Sequence, residues 1–231
     1  MILSVNNSHF MVNRNLLASG SADHNVLLWD MNRQDVASTL THPEKIQSLQ
    51  FHPFEIQTLA TGCCDSNVRV YDCRSESCKE WKVDGEVERI IWDHFNPFCF
   101  LTSTEAGSVF YIDARNDKPL WHLNAHTKPC TGLALSSQCP GCLTTSSQDK
   151  TFKVWDIQSG TPSFVVEHDF KLGSIYATAP CPEAPFAFCI GGDNRSDNFK
   201  VWDIRQSAAG NLIHSFNSRL FTTTRFILNY D

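Results

Sequence analysis

The chain has 231 residues, of which 42% are apolar and 19% charged, and its formal net charge at pH 7 is −6. This apolar share suffices for a sizeable core and excludes a disordered chain. The negative charge argues against direct binding to nucleic acid, because domains that bind a phosphate backbone are usually basic.

The first residues carry no targeting signal. They lack the basic start and apolar run of a secretory signal peptide. Nowhere does the chain hold an apolar stretch of about 18 residues that could span a membrane as a helix. We therefore expect no membrane association. The ten cysteines are then expected to be reduced and half-buried, as in a cytosolic or nuclear protein.

A short pattern recurs five times along the chain. Each copy places turn-forming residues before a run of alternating apolar residues and ends in Asp. The terminal aspartates are Asp30, Asp72, Asp113, Asp156 and Asp203. Their spacing of 41 to 47 residues is close to the period of about 40–45 that is typical of four-stranded propeller blades.

In chain order, each repeat predicts four antiparallel strands, which we call a to d. Strand a precedes the hairpin that joins strands b and c, and strand d follows it. Strand a is predicted near Leu3, Leu49, Ile91, Leu133 and Tyr176, and strand d near Ser38, Trp81, Trp121, Val165 and Ile213. The predicted fold is therefore all-β, with about five four-stranded blades. The blades are expected at residues 1–42, 43–84, 85–125, 126–168 and 169–216, and a divergent tail at 217–231.

These repeats resemble the WD-repeat family, which forms β-propellers. The resemblance rests on the terminal Trp-Asp, on a Ser/Thr-Gly-Ser-x-Asp hairpin, and on a His nineteen residues before the Ser/Thr. In that family His, Ser/Thr, Asp and Trp form a buried hydrogen-bonded tetrad. The implied tetrad residues are His126, Thr145, Asp149 and Trp155 in the fourth repeat, His42, Thr61, Asp65 and Tyr71 in the second, and Ser19, Asp23 and Trp29 in the first. The third repeat has Ala106 and Ile112 in place of Asp and Trp, so its network is expected to be absent.

A more specific resemblance lies in the segments between the strands. The stretches FHPFEIQTL, IDARNDKPLWHLNAH and LSSQCPGCLTTSSQDKTFKVWDI are similar to the periodic tryptophan protein 1 family of nuclear and nucleolar WD-repeat proteins. The resemblance implies a protein-interaction scaffold that acts in ribosome biogenesis and ribosomal RNA transcription. It also implies pre-ribosomal factors, histones or other chromatin proteins as partners.

Propellers of this type usually close with seven blades, and the resemblance therefore implies that five blades are too few. Five blades could form an open arc or a tighter ring, or they could be a fragment of a larger propeller. An open arc would leave two sheet edges with unpaired backbone groups. We expect a fragment, an alternative start or an isoform.

The resemblance places the binding surface on the top face, where the d–a and b–c loops converge. The candidate positions precede the hairpin Asp or stand where strand a begins. They are Ala22, Cys64, Glu105 and Gln148, together with Lys45, Glu88, Lys128 and Lys171. The set is mixed in sign and contains no aromatic residue, whereas recognition of methylated lysine requires aromatic rings around the cation.

Three other patterns suggest chemistry. The CPGC motif, Cys139 to Cys142, has the spacing of a zinc or redox pair, but no second pair accompanies it, and we interpret it as a turn with reduced cysteines. His, Ser/Thr and Asp recur at the repeat spacing, which indicates a structural network rather than an active site. No phosphate-binding glycine loop occurs. We therefore expect no enzyme activity, metal, cofactor or small-molecule substrate.

WDIR, which includes Asp203 and Arg205, resembles the motif with which some WD-repeat proteins bind the adaptor of a cullin-RING ubiquitin ligase. This makes a substrate receptor of such a ligase the alternative function. Arg205 could pair with a carboxylate of a partner or with one of its own blade.

Overall fold

The computed structural model describes residues 5–11, 16–75, 77–207 and 216–220. Nineteen β-strands and a 3₁₀ turn at Ile204–Gln206 form its regular elements. The chain divides into two compact units, Met1–Thr131 and Gly132–Asp231. None of the described helical segments has the length and apolar character needed to cross a membrane.

The first unit consists of three four-stranded antiparallel sheets, and in each the strands lie side by side in chain order. The first sheet contains β1 (Val5–Met11), β2 (Leu16–Ser21), β3 (Asn25–Asp30) and β4 (Asp35–Thr41). The second contains β5 (Ile46–Phe51), β6 (Thr58–Cys63), β7 (Asn67–Asp72) and β8 (Ser77–Lys82). The third contains β9 (Val87–Trp92), β10 (Cys99–Thr104), β11 (Ser108–Asp113) and β12 (Trp121–Asn124).

The second unit holds the fourth and fifth sheets. The fourth contains β13 (Gly132–Leu135), β14 (Cys142–Ser146), β15 (Phe152–Asp156) and β16 (Ser163–His168). The fifth has three described strands, β17 (Ile175–Pro180), β18 (Ala187–Gly192) and β19 (Phe199–Asp203). The predicted strand d near Ile213, the residues around Leu3 and positions 221–231 of the predicted tail lie outside the described residues.

The b–c hairpins owe their shape to one backbone position with a positive φ angle. His24, Ser66 and Lys150 have φ angles of 70°, 65° and 76° at the same place in three repeats. In the third repeat, which lacks the hairpin Asp, Gly107 occupies this place with φ 86°. A Cβ atom on Gly107 would lie 2.3 Å from the carbonyl oxygen of His126, so both the φ angle and the close approach require glycine.

Within each unit, the core lies between successive sheets. Within the first unit, one apolar cluster joins residues of the first and second sheets, and another joins the second and third. Within the second unit, one cluster joins the fourth and fifth sheets. All six residues of β10, an inner strand of the third sheet, are buried. Sheets that are too thin to form a core alone are thus stabilised by stacking.

Candidate functional site

Two tryptophans bond to hydroxyl groups inside their own sheets. Trp29 Nε1 donates to Ser19 Oγ at 2.8 Å, and Trp155 Nε1 donates to Thr145 Oγ1 at 2.9 Å. The register pairs strands b and c so that each indole reaches the buried hydroxyl across one hairpin. These contacts satisfy buried polar groups, which is a structural task.

The second repeat contains a buried network around His42. Its Nε2 lies 3.0 Å from Thr61 Oγ1 and 3.3 Å from the hydroxyl of Tyr71. Its Nδ1 faces the carbonyl oxygen of Leu40 at 3.2 Å. Because that carbonyl can only accept, Nδ1 carries the proton and Nε2 accepts from the hydroxyl groups. Burial lowers the pKa of His42 and outweighs the opposing effect of the Leu40 carbonyl, so the ring is neutral at pH 7.

The expected contact of Asp65 with this histidine is replaced by another pairing. Asp65 Oδ2 accepts from Arg69 Nη2 at 2.6 Å, and Oδ1 accepts from the Asn67 amide at 3.0 Å. The Arg69 side chain is 9% exposed and also contacts Glu80. Burial tends to raise the pKa of Asp65, but the bonds from Arg69 and Asn67 outweigh it and lower the pKa. The buried guanidinium attracts this carboxylate more strongly than a neutral imidazole could.

The hairpin aspartates of the first and fourth repeats also hold their turns. Asp23 Oδ1 accepts from the amide of Asn25, and Asp149 Oδ1 accepts from the amide of Thr151, both at 3.0 Å. Side chains that bond two residues onward stabilise such turns, which explains why Asp recurs there. The remaining predicted tetrad residue, His126, is buried in the first unit.

The third sheet holds polar networks that the sequence analysis missed. Asp84 accepts hydrogen bonds from the hydroxyls of Thr104 and Ser108. The Tyr111 hydroxyl donates to Asp93 Oδ2 at 2.8 Å, and burial together with this carboxylate raises the pKa of Tyr111. The signal for the first network was Asp84 itself, which stands beside the position that His occupies in the second repeat.

The b–c hairpins contact the residues that precede strand a. The Cys64 amide donates to the carbonyl of Lys45, and the Glu105 amide donates to the carbonyl of Glu86, each at 2.9 Å. Glu86 is therefore the third-sheet counterpart of Lys45, in place of the expected Glu88. The register shifts at Glu88, which is the unpaired residue of a β-bulge in β9. The bulge turns Glu88 into a half-buried position.

Three carboxylates form what we call the acidic patch, Glu86, Glu88 and Glu105. Burial raises the pKa of Glu88, and the charges of Glu86 and Glu105 raise it further against the opposing effect of Arg89. Burial and Glu86 together raise the pKa of the neighbouring Cys64 to about 12. A further cation close to this patch would therefore stabilise the ionised form of Glu88.

The other predicted top-face residues differ in their exposure. Ala22 and Gln148 are partly buried, and Lys128 is exposed. Lys171 is exposed too, but its Nζ lies 2.6 Å from Asp169 Oδ2. Trp92 of β9 is buried against His52 and Phe100.

Arg205 pairs with the aspartate of its own repeat. Its Nε donates to Asp203 Oδ1 at 2.9 Å, its Nη2 donates to Oδ2, and its guanidinium lies over the Phe186 ring. Asp203 consequently has a lowered pKa, caused chiefly by the bond from Arg205. The same pairing recurs between Arg74 and Asp72 and between Arg115 and Asp113.

In the fourth repeat, the terminal aspartate pairs with an arginine that lies much later in the chain. Gln158 stands at the position of Arg205, and Arg219 bonds both oxygens of Asp156 at 2.7 and 2.6 Å. Phe216 is fully buried, and its carbonyl accepts from Cys139 Sγ at 3.4 Å. The start of the predicted tail is therefore bound to the second unit. The missing arginine at Gln158 was the signal that could have indicated it.

The CPGC motif forms the end of the a–b turn and the start of β14. Cys139 and Cys142 are both fully buried, and neither is in a disulfide. Within the described ranges, no group of three or more His, Cys, Asp or Glu residues could hold a metal ion.

Comparison with known proteins agrees with this architecture. Residues 2–30, 34–72 and 117–156 match the family model for the WD domain, G-beta repeat. A chain from the "Crystal Structure of Mitotic Checkpoint Complex" superposes with a TM-score of 0.76 at 21% identity, over 88% of this chain and 61% of that chain. The sheets and the repeats together make this chain a WD-repeat β-propeller protein.

Among WD-repeat proteins, the chain is similar to periodic tryptophan protein 1. It is 38% identical to the Drosophila melanogaster homolog over 201 residues, which are 84% of this chain and 44% of the relative. It is 34% identical to the Saccharomyces cerevisiae protein over 212 residues, 83% of this chain and 36% of the relative. The chain thus spans less than half the length of these relatives. The matches support a protein-interaction scaffold.

Proposed function

We propose that this chain is a nuclear and nucleolar scaffold that acts in ribosome biogenesis and ribosomal RNA transcription. Its suggested partners are pre-ribosomal factors and histones or other chromatin proteins, which carry basic segments. The resemblance to the periodic tryptophan protein 1 family supports the compartment and the process. The acidic patch is the observation that supports a basic partner.

The polar networks support binding rather than catalysis. The hydroxyls of Ser19 and Thr145 accept from indole N–H groups. The imidazole of His42 is neutral and bonded at both nitrogens. A catalytic nucleophile needs a base in reach and a cleft for substrate, whereas these groups are occupied inside sheets. We therefore propose that the networks hold the blades and that the loops bind.

The acidic patch suits a lysine- or arginine-rich segment. Glu105 is exposed on the hairpin, and Glu88 lies half-buried beside it. Burial chiefly, and the charges of Glu86 and Glu105 in addition, raise the pKa of Glu88 against the opposing effect of Arg89. A further cation placed among the three carboxylates would relieve their repulsion. Charge complementarity of this kind sets the association rate and the choice of partner more than the raw affinity.

The test is binding of a fluorescent histone-tail peptide to the full chain. The double variant Glu86→Gln/Glu105→Gln should weaken binding about tenfold near physiological salt, which corresponds to about 1.4 kcal/mol. It should also flatten the salt dependence. The matched control is Glu183→Gln, an exposed carboxylate in the second unit. Equal affinities for all three proteins would refute the acidic patch as the binding surface.

Compartment and process need a separate test in cells. Affinity purification of the tagged chain should recover pre-ribosomal proteins and histones, and imaging should place it in nucleoli. Recovery of a ligase adaptor that is lost on Arg205→Ala would instead support the substrate-receptor alternative. The structure gives that alternative little support, because the Arg205 guanidinium already donates hydrogen bonds to Asp203 of its own repeat.

A further inference from the structure

Two cysteines of the fifth sheet face each other. Cys189 lies in β18, and Cys181 directly follows β17. Their Sγ atoms are 3.7 Å apart. The register pairs Ala179 with Cys189, so Cys181, two residues further along, points to the same side of the sheet.

This pair differs from the CPGC pair, whose spacing suggested a redox site but which we interpreted as a turn. Cys139 and Cys142 are fully buried, and burial raises the pKa of Cys142 well above its usual value. Cys181 and Cys189 are each partly exposed, so a small oxidant can reach them. Seven residues separate the two, and only the pairing of β17 with β18 brings their sulfurs together.

We propose that Cys181 and Cys189 form a reversible disulfide, and that a peroxide is the oxidant. One sulfur, as thiolate, attacks a peroxide oxygen and breaks the O–O bond, which yields a sulfenic acid and hydroxide. The second sulfur attacks the sulfenic sulfur, the S–S bond forms, and the S–O bond breaks with release of hydroxide, which is protonated to water. Two thiols lose two electrons, and hydrogen peroxide becomes two molecules of water. A small dithiol reverses the step by thiol–disulfide exchange.

The surroundings favour closure within the chain. The sulfurs must approach from 3.7 Å to about 2.05 Å, a shift that side-chain rotation and a small movement of the turn can supply. The turn itself is held by the fourth sheet's a–b loop: Ser137 Oγ donates to the Cys181 carbonyl at 3.0 Å, and Gln138 Nε2 donates to the Pro182 carbonyl at 3.0 Å. The backbone therefore keeps the two sulfurs facing each other while the first one reacts.

The reaction should be slow compared with that of a dedicated redox enzyme. Burial and the neighbouring Cys189 sulfur raise the pKa of Cys181, so little of it is thiolate at pH 7. Proximity compensates in the second step, because the two sulfurs are already in contact.

The test is peptide mapping of the full chain after treatment with hydrogen peroxide and alkylation of the remaining thiols. Trypsin releases residues 172–195, which carry both cysteines. We expect this peptide to carry no alkyl group and to weigh two hydrogens less than its reduced, unalkylated form. Reduction with dithiothreitol should restore two alkylation sites. Finding both cysteines alkylated, oxidised only to separate acids, or bonded to other cysteines would overturn the proposal.

A trapping experiment separates the two steps. In the Cys181→Ser variant, Cys189 has no resolving partner, so dimedone should label its sulfenic acid, and label on the wild-type chain should be at least several-fold lower. The matched control is Cys78→Ser, which removes an exposed cysteine of the second sheet and should leave the 172–195 disulfide unchanged. Equal dimedone labelling of Cys189 in the wild type and in Cys181→Ser would contradict the pairing.

Discussion

Replacing Arg219 by alanine removes two charge-assisted hydrogen bonds from Asp156. The two side chains are 23% and 17% exposed, so solvent screens the pair only in part. A hydrogen bond to a charged group contributes about 1.5–3 kcal/mol, and we expect the variant to lose about 2 kcal/mol of unfolding free energy. For a unit of about 100 residues this corresponds to roughly 10 °C in Tm, measured by calorimetry of the full chain.

A second substitution tests the reason for the loss. In two repeats of the first unit, the aspartate equivalent to Asp156 pairs with an arginine two residues later, as Asp72 does with Arg74. Gln158→Arg in the Arg219→Ala background should therefore restore part of the lost Tm, and it should restore nothing when Asp156 is also replaced by Asn. If Gln158→Arg gives no recovery, the pairing of this aspartate with an arginine is not what stabilises the unit.

The same pair predicts a dependence on pH. Burial acts to raise the pKa of Asp156, but the bonds from Arg219 outweigh it and lower the pKa below its usual value. A carboxyl with a lowered folded pKa stabilises the fold above its unfolded pKa of about 3.9, and this contribution is lost as the pH falls through the folded pKa. The Tm difference between wild type and Arg219→Ala should therefore shrink below pH 4 or so.

Three further predictions concern the buried networks. Asp65→Ala leaves Arg69 buried without its shortest ion pair and should cost about 3 kcal/mol in urea unfolding; fully additive costs in the double variant Asp65→Ala/Arg69→Met would contradict the pairing as the cause. Trp29→Phe removes the bond to Ser19 and should cost about 1 kcal/mol, and in that background Ser19→Ala should add less than it does alone. His42 has a lowered folded pKa, so stability should fall as the pH drops below about 6.5, and His42→Asn should reduce that slope.

Local signals in the sequence were enough to predict the sheets. Turn residues before alternating apolar runs predict hairpins, and the repeat length predicts strands a to d. The bonds from Trp29 to Ser19 and from Trp155 to Thr145 join residues across a single hairpin. The resemblance to the WD-repeat family implied these partners, and strand register fixes the distance between them.

Strand register does not fix every partner, and several polar side chains found theirs only in the folded chain. His42 takes its tautomer from the Leu40 carbonyl, and Asp65 turns to Arg69. Because of a one-residue bulge at Glu88, it is Glu86 that contacts the b–c hairpin of the third sheet. These outcomes depend on which of several charged or polar groups is buried nearest, and that choice is a competition between desolvation and pairing.

Repeated antiparallel sheets are encoded locally in this chain, because hairpin turns and strand alternation act over a few neighbouring residues. The sulfurs of Cys181 and Cys189 likewise meet across the single hairpin between β17 and β18. By contrast, folding of the second unit brought Arg219 to Asp156 across 63 residues. Contacts of this kind form because packing makes the groups neighbours, and no local propensity encodes them.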